Sequence, residues 1–176
     1  MPHILKKKMN LELIDNFIDK DSLKELQGLF WSNDFPWFYD DAVNYPGDGY
    51  YQFTHVFYQY DLQKSEFLPT LKPILHQLYL KGDLYSLVRI KANLLNRTAL
   101  NIEHGFHIDL PDLKDHHTSK TAIFYLNTND GYTKFEDGTI IESVENRVIV
   151  FDSRLKHTGS TCTDEKTRVV INFNYF

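Results

Sequence analysis

The stretch Glu103-His104-Gly105-Phe106-His107-Ile108-Asp109 sets a histidine and a carboxylate two residues apart, at His107 and Asp109. In extended backbone, residues i and i+2 point to the same side, so this imidazole and carboxylate can grip one metal ion together. His104, three residues before His107, falls on the opposite face. Two protein ligands do not complete a site, and the spacing itself is common. With 8 His and 24 Asp+Glu in 176 residues, about one His-x-acid is expected by chance. What surrounds the pair therefore decides its meaning.

The length suits one domain, and 42% hydrophobic residues suffice for a proper core. Thirteen Phe and 11 Tyr favour β-rich packing or an aromatic-lined pocket. A net charge of -5 speaks against a nucleic-acid partner, which normally meets a basic stripe. The lone Cys162 excludes an internal disulfide framework and four-thiolate zinc sites. No apolar run reaches the ~18 residues of a membrane span. The N-terminal segment has no apolar core followed by a cleavage site, so a cytoplasmic protein with no membrane partner is expected.

Along the chain, Ser22-Leu23-Lys24-Glu25 has capping-box spacing, and Leu23, Leu26, Leu29 and Phe30 follow at helical intervals, predicting a helix over 21–30. Phe67, Leu68, Leu71, Ile74, Leu75 and Leu78 form a second helical stripe, with Pro69 and Pro73 early in it and Gly82 as its stop. Residues 84–95 read as a strand with Arg89, Lys91 and Asn93 on one face. After His104 everything is strand and turn: strands over 120–127, 133–135, 139–141, 147–152 and 168–175, with Asn129-Asp130-Gly131 as a turn. Helices first and short antiparallel strands after predict a mainly β protein with N-terminal helices and a jelly-roll core, a double-stranded β-helix of the cupin-like kind. The whole of 1–176 is expected to be a single domain, with 1–83 a helical and aromatic support and 84–176 the jelly roll.

A facial triad for a non-haem metal needs two His and one carboxylate, with the other positions open. His157, just past the strand 147–152, is the best third ligand. On position alone a surface turn residue is an equal reading. His116-His117 lies in a polar loop and reads as solvated. In the final strand, alternation puts Arg168, Val170, Asn172 and Asn174 on one face and Val169, Ile171, Phe173 and Tyr175 on the other. If the polar face lines the barrel, Arg168 is a buried cation that wants an anion, and a guanidinium grips a carboxylate bidentately. Taken alone, a half-exposed strand with its polar side in water is the preferred reading.

His107-x-Asp109, His157, and Arg168 eleven residues further on resemble the Fe(II)/2-oxoglutarate-dependent dioxygenases. Tyr125-Leu126-Asn127 is similar to the Tyr-Leu-Asn strand of the prolyl 4-hydroxylase branch. Gly131-Tyr132-Thr133-Lys134-Phe135 resembles its Gly-Gly-x-Thr-x-Phe segment, with Tyr132 in place of the second glycine. The resemblance covers about residues 84–176, and the aromatic N-terminal half looks similar to short, phage-type members. It implies that His107, Asp109 and His157 bind Fe(II). Arg168 and Tyr125 would hold the distal carboxylate of 2-oxoglutarate, with Asn93 in the same pocket. Arg89, Asn172 and Asn174 would face the substrate.

The function so implied is C–H hydroxylation with release of succinate and CO2, with ascorbate as reductant. Peptidyl proline is the first substrate expectation, and free amino acids or other small molecules follow. A cupin-like protein that binds metal or ligand without turnover is the reading from another class, and it would not need Arg168 and Tyr125 to converge on a dicarboxylate. A nucleic-acid demethylase is disfavoured by the acidic charge.

Overall fold

The computed structural model describes residues 10–82, 84–110 and 119–176. In chain order these form β1 (Leu11–Ile14), α1 (Lys20–Phe30), β2 (Phe38–Asp40), β3 (Gln52–Gln59) and β4 (Leu62–Gln63). A 3₁₀ turn (Leu68–Leu71) leads into α2 (Lys72–Leu80), followed by β5 (Leu87–Asn96), β6 (Lys120–Tyr125) and β7 (Asn129–Phe135). β8 (Ile140–Ser143), β9 (Arg147–Asp152), β10 (His157–Gly159) and β11 (Thr167–Tyr175) complete the chain. The large sheet runs β1-β9-β6-β11-β5-β3-β2, with β4 on β3, and a smaller sheet runs β10-β7-β8. The architecture is the mainly β double-stranded β-helix, with its helices supplied by the N-terminal half.

β11 shows why the sheets stack as they do. Val169, Ile171, Phe173 and Tyr175 face outward onto a core built with Leu26, Phe30, Ile74 and Leu78 of the helices. Burying a side chain such as Phe173, at 0% exposure, stabilises the fold by about 1.5–3 kcal/mol. The opposite face of the same sheet gives Ile123, Ile149 and Val170 to a second, smaller core with Phe135 and Ile141 of the small sheet. Both faces of β11 are thus covered. The water-facing alternative for its polar side does not hold: Arg168 is 3% exposed, Asn172 9% and Asn174 1%.

Local differences from the sequence-based expectations have local causes. Helix α1 begins earlier because Asp19, not Ser22, caps it. Its carboxylate accepts from the backbone N–H of Asp21 (3.1 Å) and Ser22 (2.9 Å), and from the Ser22 hydroxyl (2.7 Å), which leaves Ser22 no capping role. Pro73 lies in the first turn of α2, where a missing N–H costs nothing, and Gly82 follows the helix with φ +77°. The expected turn Asn129-Asp130-Gly131 is instead the start of β7. Its turn chemistry makes a bulge: the register on β8 shifts between Asn129 and Tyr132, and Asn129 Oδ1 accepts from Gly131 N (3.0 Å). Among the described residues no helix is long and apolar enough to cross a membrane.

Candidate metal centre

Residues 103–109 run as an irregular strap with isolated bridges, not as a strand. They touch β10 and the residue after it at two isolated bridges, His107 with His157 and Glu103 with Ser160. The first bridge is reciprocal: His107 N donates to His157 O (2.9 Å) and His157 N to His107 O (3.0 Å). This contact sets the two rings side by side, with centroids 4.8 Å apart. Asp109 Oδ1 then lies 3.6 Å from Nε2 of His107 and 3.6 Å from Nε2 of His157. One ligand atom from each residue falls within 4.8 Å of the others.

These separations are too long for hydrogen bonds. They suit three atoms grouped around a shared ion at roughly 2.1 Å, the bond length of imidazole and carboxylate to zinc. The donor set, two imidazoles and one carboxylate on one side, fits Fe(II) with open positions. His157 Nδ1 lies 3.0 Å from Leu155 O; as the protonated nitrogen it donates there, which leaves Nε2 bare for a metal. Burial would push the Asp109 carboxyl up, but His107, His157 and Arg89 outweigh it and hold it well below the usual carboxylate range. Burial lowers the His157 imidazole, and the Asp109 carboxylate more than reverses that.

Behind the carboxylate stands a second layer. Asp109 Oδ2 accepts from Asn174 Nδ2 (2.9 Å) and, at longer range, from Asn172 Nδ2 (3.4 Å). Asn174 also donates to Thr121 Oγ1 (3.0 Å) and accepts from Arg89 Nε (3.1 Å), and Arg89 Nη2 lies 3.8 Å from Asp109 Oδ1. Of the three residues expected to face substrate, Arg89 and Asn172 line the cleft, whereas Asn174 is buried behind the metal carboxylate. Asn174→Ala is therefore expected to weaken metal binding by about 10–100-fold, the usual worth of an outer partner of a ligand. Metal titration checks it; an unchanged affinity would remove Asn174 from this role.

The cleft has a volume of 480 Å³ and is lined by the metal residues together with Arg168, Thr133, Asn93 and Lys91. Arg168 donates through Nε to Ser143 Oγ (2.8 Å) and through Nη2 to Thr133 Oγ1 (3.2 Å). Among the described residues no carboxylate pairs with it. Burial pushes its guanidinium down, yet an arginine stays charged, so the hydrogen bonds of a buried cation go here to hydroxyls. Two glycines make its space. A Cβ on Gly131 would come within 2.6 Å of Arg168 Cδ and 2.9 Å of Thr161 O, and one on Gly159 within 3.3 Å of Arg168 Nη1.

Tyr125 is placed differently from its expected role. Its hydroxyl donates to Thr133 Oγ1 (2.8 Å), and its ring lies 5.8 Å from Arg168 Cζ. Thr133, not Tyr125, lines the cleft. With both lone pairs of Thr133 Oγ1 used as acceptors, its own O–H is left to donate to whatever anion Arg168 holds. Sequence reasoning quoted Thr133 only as part of a motif.

It also set His104 aside by alternation, yet His104 is 5% exposed and lines the same cleft. Gly105, with φ +89°, breaks the extended run between them and brings both imidazoles to one side. His104 Nδ1 lies 3.2 Å from Gly159 O, and its ring meets Tyr50 edge-on at 4.8 Å. His116 and His117 lie outside the described residues.

No protein-family model matches the sequence, and no curated protein matches it either. Solved structures do resemble the fold. An oxidoreductase of the 2OG-Fe(II) oxygenase family from Burkholderia pseudomallei matches with a TM-score of 0.66 at 15% identity, over 94% of this chain and 84% of that one. A prolyl-4-hydroxylase from Pseudomonas putida matches with 0.57 at 14% identity, over 96% and 94%. The non-heme alpha ketoglutarate dependent carbocyclase SnoK from nogalamycin biosynthesis matches with 0.66 at 11% identity, over 95% and 79%. At these identities the likeness is one of fold, and this chain adds a His107-Asp109-His157 cluster to it.

Proposed function

We propose that this protein is an Fe(II)- and 2-oxoglutarate-dependent oxygenase that hydroxylates a C–H bond and releases succinate and CO2. The observation that carries the reading is Arg168: a buried guanidinium without a carboxylate partner among the described residues, in the same cleft as a two-histidine, one-carboxylate cluster. A dicarboxylate whose keto-acid end reaches the metal satisfies both. A cupin-like protein that binds only a metal would leave Arg168 with its burial cost and no anion in return.

In this reading His107, Asp109 and His157 hold the iron, and Asn174 and Asn172 fix the carboxylate so that its Oδ1 faces the ion. Fe(II) with 2-oxoglutarate and dioxygen supplies the oxidising power for C–H hydroxylation, paid for by oxidative decarboxylation of the cosubstrate. Arg168 and the Thr133 hydroxyl grip the far carboxylate and so fix the direction in which the keto acid lies. Tyr125 acts through Thr133, holding that hydroxyl in place. Arg168 and Thr133 are both buried, which strengthens their contacts.

Peptidyl proline, the first substrate expectation, has support from the Tyr125-Leu126-Asn127 segment and from the likeness to a prolyl-4-hydroxylase. The likeness to a carbocyclase is as good, so fold alone does not choose between a peptide and a small molecule.

Purified protein given Fe(II), 2-oxoglutarate, ascorbate and air is expected to release succinate slowly without any prime substrate. Chelation with EDTA should stop the release, and added Fe(II) should restore it. No succinate, together with no measurable 2-oxoglutarate binding to the metal-loaded protein, would move the assignment to a non-catalytic binder.

A further inference from the structure

The cleft holds more positive charge than the proposed chemistry uses. Among the described residues its lining includes Arg89, Lys91, Lys156 and Arg168, against Asp109 as the one carboxylate. Arg89 is taken up by Asp109 and Asn174. Lys156 is exposed and lies 3.5 Å from Glu136. Arg168 is assigned to the cosubstrate. A divalent ion and a dianionic cosubstrate cancel each other, so loading the site leaves the surplus unchanged. What remains is Lys91. Its side chain is only 19% exposed, and its nearest counter-charge among the described residues is the half-open Asp40 on β2 at 3.7 Å.

Lys91 is placed to meet a substrate. On β5 it lies between Arg89 and Asn93 and shares their face, and across the sheet it stands opposite Asn172 of β11. Such cross-strand neighbours have Cα atoms about 5 Å apart, and Asn172 already touches the metal carboxylate. Two further groups nearby lack partners. The Asn93 amide lines the cleft and makes no hydrogen bond among the described residues. Asn172 Oδ1 is buried and accepts from none of the described residues. A buried orphan acceptor costs about 1–3 kcal/mol until a donor arrives. An ammonium and an amide donor beside a vacant acceptor match a carboxylate that carries a neighbouring N–H. A neutral residue inside a peptide would leave Lys91 with the half-open Asp40 and no closer anion.

We infer that Lys91 and Asn93 bind the carboxylate of a free amino acid, whose nitrogen donates to Asn172 Oδ1, and that this small acid is the prime substrate. The inference rests on the oxygenase reading but has its own test. Protein loaded with Zn(II) and 2-oxoglutarate, which cannot turn over, is titrated calorimetrically with the twenty free L-amino acids, with their C-terminal amides and with proline-containing peptides blocked at both ends. At least one acid is expected to bind about ten- to hundredfold tighter than its amide, the worth of a hydrogen bond to a charged group.

Lys91→Met should erase that difference. Asp40→Asn should do the reverse: with its competing carboxylate gone, Lys91 binds the acid several-fold more tightly, a gain that misfolding cannot imitate. If no acid is preferred over its amide, or the blocked peptides bind best, the inference falls. So does it if Asp40→Asn leaves the preference unchanged. Basal succinate release without substrate reports on the oxygenase reading separately. A preparation that releases succinate but prefers no acid overturns this inference alone.

Discussion

Replacing Arg168 with alanine is expected to lower 2-oxoglutarate affinity by roughly 2–5 kcal/mol, from about thirtyfold to several thousandfold. The size follows from what is lost. The guanidinium is 3% exposed, is held by Ser143 and Thr133, and has no carboxylate of its own among the described residues. Its removal takes away a charge-assisted contact and leaves an anion in a pocket that offers little but the Thr133 hydroxyl. Arg168→Lys should recover only part of the loss, because a point ammonium keeps the charge but loses the fork. Lysine also lacks the Nε–H that meets Ser143. Iron affinity should hardly move, since Arg168 is not a ligand. Metal and cosubstrate binding measured separately in one preparation decide the matter. A variant with wild-type 2-oxoglutarate affinity would take Arg168 out of the site, and one that loses both affinities together would point to misfolding.

The second large effect belongs to the ligands. His157→Ala is expected to cost the metal site about 3 kcal/mol or more, above a hundredfold in affinity. Four-ligand structural sites bind with roughly 10–16 kcal/mol, so one ligand carries a large share. This should exceed the loss in Asn174→Ala, which acts through Asp109. The backbone bridge between residues 107 and 157 does not need the ring, so the strap should stay docked and the circular dichroism should be preserved. Wild-type iron binding in His157→Ala would show that the third ligand is elsewhere, and His104, in the same cleft, would be the next to change.

Both effects depend in part on local sequence and in part on closure of the fold. Period-2 alternation in the last strand is a local property, and it correctly separates Val169, Ile171, Phe173 and Tyr175 from Arg168, Asn172 and Asn174. Nothing local says whether the polar face meets water or a second sheet. That depends on β7 and β8, which come from earlier in the chain and close over it, and it reverses the meaning of Arg168 from a solvated charge to a buried one. The same holds for the ligands. Spacing joined His107 to Asp109, but His157 is fifty residues away and only the reciprocal bridge to residue 107 makes it their neighbour.

Where sequence reasoning went astray, it treated a rule of regular backbone as if it held everywhere. His104 was sent to the far face by strand alternation, but Gly105 at φ +89° turns the chain between them. Asn129-Asp130-Gly131 has turn composition, and the fold uses it as a bulge whose bare Gly131 lets Arg168 pass. Asn174 shares a face with Arg168, yet it ends behind Asp109 and not in the cleft, because a strand that crosses the barrel meets a different layer at each end. The sequence by itself determined the strand faces, the helices, the His-x-Asp pair and the presence of an unusual cation. Only the tertiary structure decided which of these groups are dry and which touch, since burial and contact between distant residues are properties of sheet closure and not of any one segment.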